Sequence, residues 1–177
     1  MPNSAPGLDE PIHLLPYDPA WADQGRALVT RLAAGLRERA LTAGVEHIGS
    51  TSVPGLSAKP VLDVQIGCAA ADTDAVAGYV RALGFEDLGE AGVPGRRYLR
   101  RRRPEASANV HVVELDGPLW TDNLLFRDHL RAHPAASARY ARAKRDAAGA
   151  TGRLLAYSAH KAATVAALMA EARSAAR

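Results

Sequence analysis

Between His47 and Gly67 the chain reads H-I-G-S-T-S-V-P-G-L-S-A-K-P-V-L-D-V-Q-I-G, and no other stretch restricts the fold so tightly. Val45 to Ile48 form a short β-favouring run. Gly49 and Ser50 then open a turn of small residues that offers backbone N–H groups and hydroxyls, a concavity of the kind that cradles an anion. Pro54 and Gly55 carry the chain round, and Lys59-Pro60 leads into a second apolar run from Val61 to Ile66. Side chains alternate along a strand, so Asp63 and Gln65 share one face. A carboxylate therefore faces a hydroxyl-lined turn across a tight strand-turn-strand unit, an arrangement suited to a metal ion carrying a phosphate.

These residues resemble a known pattern. Ile48-Gly49-Ser50, followed after residues 51–62 by Asp63-Val64-Gln65, is similar to the signature of the DNA polymerase beta type nucleotidyltransferases, a Gly-Ser turn and then an Asp-hydrophobic-acid strand. More narrowly, EHIGSTSVPGLSAKPVLDV resembles the GrpB family. The likeness continues in Gly95-Arg96-Arg97-Tyr98, in Val110-His111-Val112-Val113, in the segment from Phe126 to Pro134, and in Tyr157 and Lys161, spanning Ile12 to Ala172. It implies an α/β fold of the α+β kind: a nucleotidyltransferase-like mixed sheet with helices packed on it and a helical C-terminal cap. It also implies that Gly49 and Ser50 hold the phosphates of a nucleoside triphosphate, that Asp63 is the carboxylate for Mg²⁺, and that Ser52 and Lys59 are supporting contacts.

One position departs from the pattern. Where the superfamily has its second acid, Gln65 offers a neutral amide, which can coordinate a hard cation through its carbonyl but supplies neither charge nor a base. A third carboxylate is unassigned, because Glu114 points away from His111 on a regular strand.

Composition sharpens the site. Of 22 basic residues only Lys59, Lys144 and Lys161 are lysines, and the other 19 are arginines. Against that background a lysine marks a place that wants a compact ammonium, as phosphate contacts do, or is a chance survivor on a solvated surface. Lys59 and Lys161 lie in family-like motifs. At 177 residues the chain fits one domain, expected over 12–177 behind a flexible tail at 1–11. The lone Cys68 reads as a packed small hydrophobe. The proline-rich, acidic start is unlike a signal peptide and no run reaches membrane length, so the expected location is cytoplasmic, with no membrane partner.

Asp18-Pro19-Ala20-Trp21 starts a helix whose stripe is Trp21, Leu28, Leu32 and Leu36 and whose end is expected near Ala43-Gly44. A second helix is expected from Asp72 to Leu83. The strand from Arg97 to Arg101 puts Arg97, Leu99 and Arg101 on one face and Tyr98 and Arg100 on the other. The basic run Arg100 to Arg103 reads either as a charged edge strand or as a contact for an anionic substrate or nucleic acid. On the strand from Asn109 to Leu115, Asn109, His111 and Val113 share a face, and His111 stands in the site if that face joins Asp63. The last third is helical, Tyr157 and Lys161 being one turn apart.

Three readings of function follow. The first is an enzyme that uses a nucleoside triphosphate with Mg²⁺, with Asp63, Gln65 and His111 as the catalytic set, transferring a nucleotidyl group to, or activating, a small-molecule acceptor. The second is a binding protein for a nucleotide or phosphometabolite, its anion pocket formed by the Ser50 turn, Arg97, Lys144 and Lys161, with Tyr157 as a stacking ring. The third is a nucleic-acid contact protein using the arginine run.

Overall fold

The computed structural model describes residues 8–104 and 106–176. Its elements in chain order are α1 (Ala20–Glu38), β1 (Ala43–Ile48), β2 (Leu62–Cys68), α2 (Thr73–Ala82), β3 (Glu86–Asp87), β4 (Arg97–Arg101), β5 (Ala108–Glu114), α3 (Pro118–Ala132), α4 (Pro134–Thr151) and α5 (Leu154–Ala175). The strands form one mixed sheet in the order β1-β2-β5-β4-β3. The central pair, β2 and β5, is parallel with Asp63 opposite Asn109 and Gln65 opposite His111, whereas β1, β4 and β3 join antiparallel. The α/β architecture with a helical C-terminal cap is as expected.

Alternation divides the sheet into two unlike faces. Val64, Ile66, Leu99, Val110 and Val112 point to one side, where α1 contributes Leu28, Leu32 and Leu36 and α2 contributes Val76, Ala77 and Val80. Each of these larger side chains contributes roughly 1.5–3 kcal/mol by leaving water. Cys68 is buried in the same cluster, and burial pushes its thiol pKa up. The other side carries Asp63, Gln65, Asn109, His111 and Tyr98 and faces the helical cap. The cap is tied to the turn between β1 and β2 by a second cluster, in which Val53 and Leu56 pack against Leu130, Ala136, Tyr140 and Leu168.

Helix α1 starts as expected, with the Asp18 carboxylate accepting from the Ala20 N–H at 2.9 Å. It ends at Glu38, well before Gly44. Leu41 N–H returns to the Leu36 carbonyl while Ala40 takes a left-handed φ of 54°, so an alanine supplies the stop. Gly44 and Gly67 instead lie side by side under the Trp120 ring, where a Cβ on Gly67 would come within 2.7 Å of the indole.

Of the expected tail, residues 1–7 lie outside the described residues, and residues 9–11 are held in place. Pro11 bridges Arg153, the Glu10 carbonyl accepts from the Leu154 N–H, and the Asp9 carboxylate accepts from the Leu155 N–H and from Arg153. No helix among the described residues is long and apolar enough to cross a membrane.

Candidate functional site

Parallel pairing of β2 with β5 places three polar side chains in one row. Asp63 Oδ1 accepts from Asn109 Nδ2 at 2.7 Å and from His111 Nε2 at 3.2 Å. The other imidazole nitrogen lies 3.5 Å from Arg96 Nη1, and the ring meets Tyr98 edge-on with centroids 5.2 Å apart. A proton on Nε2 and a lone pair on Nδ1 satisfy both contacts.

The Gly-Ser turn comes up against this row. Gly49 has φ 71°, and a Cβ there would sit 2.7 Å from Asp63 Oδ2, so both conformation and space call for glycine. Ser52 Oγ donates back to the Gly49 carbonyl at 2.6 Å, while Arg131 donates through Nε and Nη2 to the Ser52 carbonyl. His47, on the far face of β1, bonds Thr51 Oγ1 at 2.9 Å, and burial first, with Arg131 and Arg127 nearby, pushes its pKa down to about 4 despite the opposing charge of Asp63. The turn is thus braced from both sides.

Burial alone would raise the Asp63 pKa. The hydrogen bond from His111 and its charge when protonated, the Lys59 ammonium and the Asn109 amide outweigh burial and bring the pKa down to about 2. Asp63 is therefore ionised across the neutral range, with 29% of its side-chain surface open. Tyr98 is pushed up to about 12 by burial and by the Asp63 charge, and stays a phenol.

Above this row lies a cleft of about 480 Å³, closed on the opposite side by α3, α4 and α5. That is room for a small organic ligand. All three lysines of the chain line it. Lys144 on α4 is 2% exposed, its Nζ donating to the Ser57 carbonyl and lying 5.3 Å from the Tyr140 ring centre. Burial, then the charges of Lys161 and Lys59, bring its pKa down to about 7, with Asp63 pulling the other way. Burial also lowers the Lys59 pKa, against the pull of Asp63 and Glu10. Lys161 on α5 donates to the Tyr140 hydroxyl at 3.3 Å and stands 5.3 Å over the Tyr157 ring, whose own hydroxyl is held protonated by burial.

The cleft thus gathers Gly49, Ser50, Lys59, Asp63, His111, Lys144, Tyr157 and Lys161, and three expected residues stand elsewhere. Gln65 is fully buried beneath α3, its Nε2 donating to the Trp120 carbonyl at 3.2 Å and its Oε1 accepting from Asn123 at 2.9 Å. Both ends of the amide are spent on holding α3, and it does not line the cleft. Ser52 shapes the turn and does not line the cleft. Arg97 points to the opposite face, where Nε donates to the Asp87 carboxylate at 2.9 Å and Nη1 reaches Asp74 at 3.3 Å. The cleft receives its neighbour Arg96 instead.

Arg96, Tyr98, Asn109 and Tyr140 are site residues absent from the expected set. Asn109 was marked by its alternation with His111, and Tyr98 by lying out of phase with Arg97. Arg96 lies in the family-like stretch Gly95 to Tyr98, from which Arg97 was the expected contact, and nothing in the sequence marked Tyr140. Three of the four arginines in the run are committed internally: Arg102 pairs with both Glu10 oxygens at 2.8 Å and donates to Asn109 Oδ1 at 3.0 Å, Arg100 pairs with Glu86, and Arg101 lies over Phe85.

The donor set does not fit two magnesium ions, and it offers the single Mg²⁺ expected at Asp63 one carboxylate. Asp63 is one carboxylate whose Oδ1 is already taken by two donors, and the positions beside it hold Asn109 and His111 where acids would be needed. Glu46, the next acid on that face, pairs with Arg127 at 2.7 Å, and Glu114 points to the other face at the strand end. Among the described residues no group of three or more His, Cys, Asp or Glu side chains could hold a metal ion.

Residues 11–171 match the family described as GrpB protein. The crystal structure of the conserved protein GrpB from Enterococcus faecalis is similar with a TM-score of 0.77 and 33% identity, covering 90% of this chain and 96% of that one. UPF0157 protein YqkA of Bacillus subtilis is 38% identical over 107 residues, covering 59% of this chain and 31% of the relative. A dephospho-CoA kinase of Mycolicibacterium paratuberculosis is 35% identical over 164 residues, covering 77% of this chain and 40% of the relative. The chain thus spans well under half the length of these two curated relatives.

Proposed function

This chain belongs to the GrpB family, and we propose that its cleft binds a phosphorylated small molecule of the nucleotide class through lysine ammonium groups. The observation that carries this reading is that Lys59, Lys144 and Lys161, the only lysines beside 19 arginines, line one cleft. Gathering like charges in a partly buried space is unfavourable for the free protein, and an anionic ligand repays that cost. Asp63, fixed by Asn109 and His111, orients His111 toward the ligand space. The Tyr157 and Tyr140 rings offer apolar surface for a base or another flat group. The similar stretch within a chain named dephospho-CoA kinase is consistent with a phosphorylated small molecule.

Nucleotidyl transfer with Mg²⁺ at Asp63 keeps the support of the Gly49-to-Asp63 contact, but the donor set speaks against it. Contact with nucleic acid has less support still, because Arg100, Arg101 and Arg102 are engaged with Glu86, Phe85 and Glu10.

The test is a panel titration by calorimetry with ATP, GTP, CTP, UTP, CoA and simple sugar phosphates. Saturable one-site binding of at least one phosphorylated compound, lost in Lys161→Gln with the fold intact, is the expected result. Absence of binding across the panel would remove the reading. A turnover screen of the ligand found, with small-molecule acceptors present, separates binding alone from transfer.

A further inference from the structure

We propose that the three-lysine cluster stands in for metal in this cleft, so that its ligand carries a diphosphate or triphosphate and binds bare of magnesium. The proposal rests on the reading that the cleft takes phosphate and adds what kind of phosphate and in what state. Magnesium at a polyphosphate neutralises adjacent phosphoryl oxygens, and a protein that recruits it supplies carboxylates to do so. Here the corresponding positions are Gln65, sealed under α3, and Asn109 and His111, which donate to the one carboxylate present. The positive charge comes from the chain itself.

The three ammonium groups arrive from three separate elements: Lys59 from the loop before β2, Lys144 from α4 and Lys161 from α5. Among the described residues none of them forms an ion pair with a carboxylate; Lys144 donates to a backbone carbonyl and Lys161 to a phenol. For Lys144, only 2% exposed, that is unusual company, since buried charge is ordinarily paired. Each also feels the others, for Lys161 and Lys59 both act on Lys144, and Lys161 acts on Lys59. A phosphate monoester carries at most about −2 and leaves such a cluster undercompensated, whereas two or three linked phosphates match it.

Loading is coupled to a proton. The groups facing Lys144 are Tyr140 on its own helix, Lys161 on α5, Ser57 and Lys59 on the loop, and Asp63 on β2. In the empty cleft burial first, and then positive neighbours that outnumber the one acid, disfavour its ammonium form. A polyphosphate reverses that balance, so binding near neutral pH draws a proton onto Lys144.

The experiment is calorimetric titration of the full chain with inorganic triphosphate, diphosphate, phosphate and ATP, in EDTA and again in excess magnesium, each in two buffers of different ionisation enthalpy. Expected are one-site binding of triphosphate or ATP in EDTA, affinity unchanged or lowered by magnesium, at least tenfold weaker binding of phosphate, and proton uptake at pH 7. Lys161→Gln should weaken triphosphate at least tenfold, and Lys144→Met, which keeps the volume without the charge, should remove most of the proton uptake, leaving the part due to Lys59. Binding that magnesium strengthens, or phosphate binding as tight as triphosphate, overturns this proposal and leaves the phosphate reading standing. Absence of binding by every phosphate and by the wider panel overturns both.

Discussion

The two faces of the central sheet are built from the same strands, one residue out of phase, and they are put to opposite uses. Val64 and Ile66 vanish under α1 and α2, whereas Asp63 is left at the floor of a cleft with its carboxylate locked by Asn109 and His111. The first face stabilises the fold by excluding water. The second gathers ammonium groups with few partners. Gln65 shows that the division is not simply apolar against polar, since it shares the Asp63 face yet lies fully buried beneath Trp120 and Asn123. The strands fix which way a side chain points, and the overlying helix decides whether it meets a ligand.

The largest effect should come from the apolar face. Ile66→Ala should cost about 2–5 kcal/mol of unfolding free energy, read from denaturant titration. Protein still folded at low temperature should bind phosphate ligands as before; a matching loss of affinity would break the separation between the faces. Gln65→Glu comes next. It removes the donor to the Trp120 carbonyl and buries a charge, so about 1–3 kcal/mol should be lost. No transferase activity should appear, and activity gained there would mean that position 65 does reach the ligand.

A smaller effect concerns pH. The native Lys144 pKa is held at about 7 against an ordinary 10.5, so between those values the unfolded chain binds the extra proton and the free protein gains stability as pH rises. Lys144→Met should flatten that rise, leaving the part due to Lys59, and should lift the melting temperature at pH 7 by roughly 2–4 °C. An unaltered pH profile would deny that Lys144 is buried without an acid partner. The smallest effect is assigned to Arg97→Ala, which breaks a partly exposed pair with Asp87. Stability should fall by about 1 kcal/mol or less and ligand affinity should not change, whereas a tenfold affinity loss would restore Arg97 to the cleft.

Much of this molecule was legible in order along the chain. The Gly49-Ser50 turn, the strand bearing Asp63, the strand bearing His111 and the helical last third stand where period and motif put them. What alternation could not convey was depth. Asp63 and Gln65 have the same phase on one strand, and only the seating of Trp120 over Gly44 and Gly67 seals one and leaves the other open. Arg96 and Arg97 differ by one residue at the edge of β4, and the strand's phase, together with Asp87 on its neighbour, sends Arg97 away from the cleft. Gly44 looked like a helix stop because the chemistry of a C-cap is local, while its contact with Trp120 is made between elements far apart in sequence. The lysines were conspicuous by their rarity, but their meeting depends on how α4 and α5 pack over the sheet.

The most direct measurement is to map where a phosphate ligand lands, by following backbone amide resonances of isotopically labelled protein during titration with inorganic triphosphate. The account predicts saturable shifts centred on Gly49 to Thr51, Lys59, and the α4 and α5 turns that carry Lys144 and Lys161. Shifts confined to Arg100 to Arg103 and the outer edge of β4, with the cleft unmoved, would contradict it.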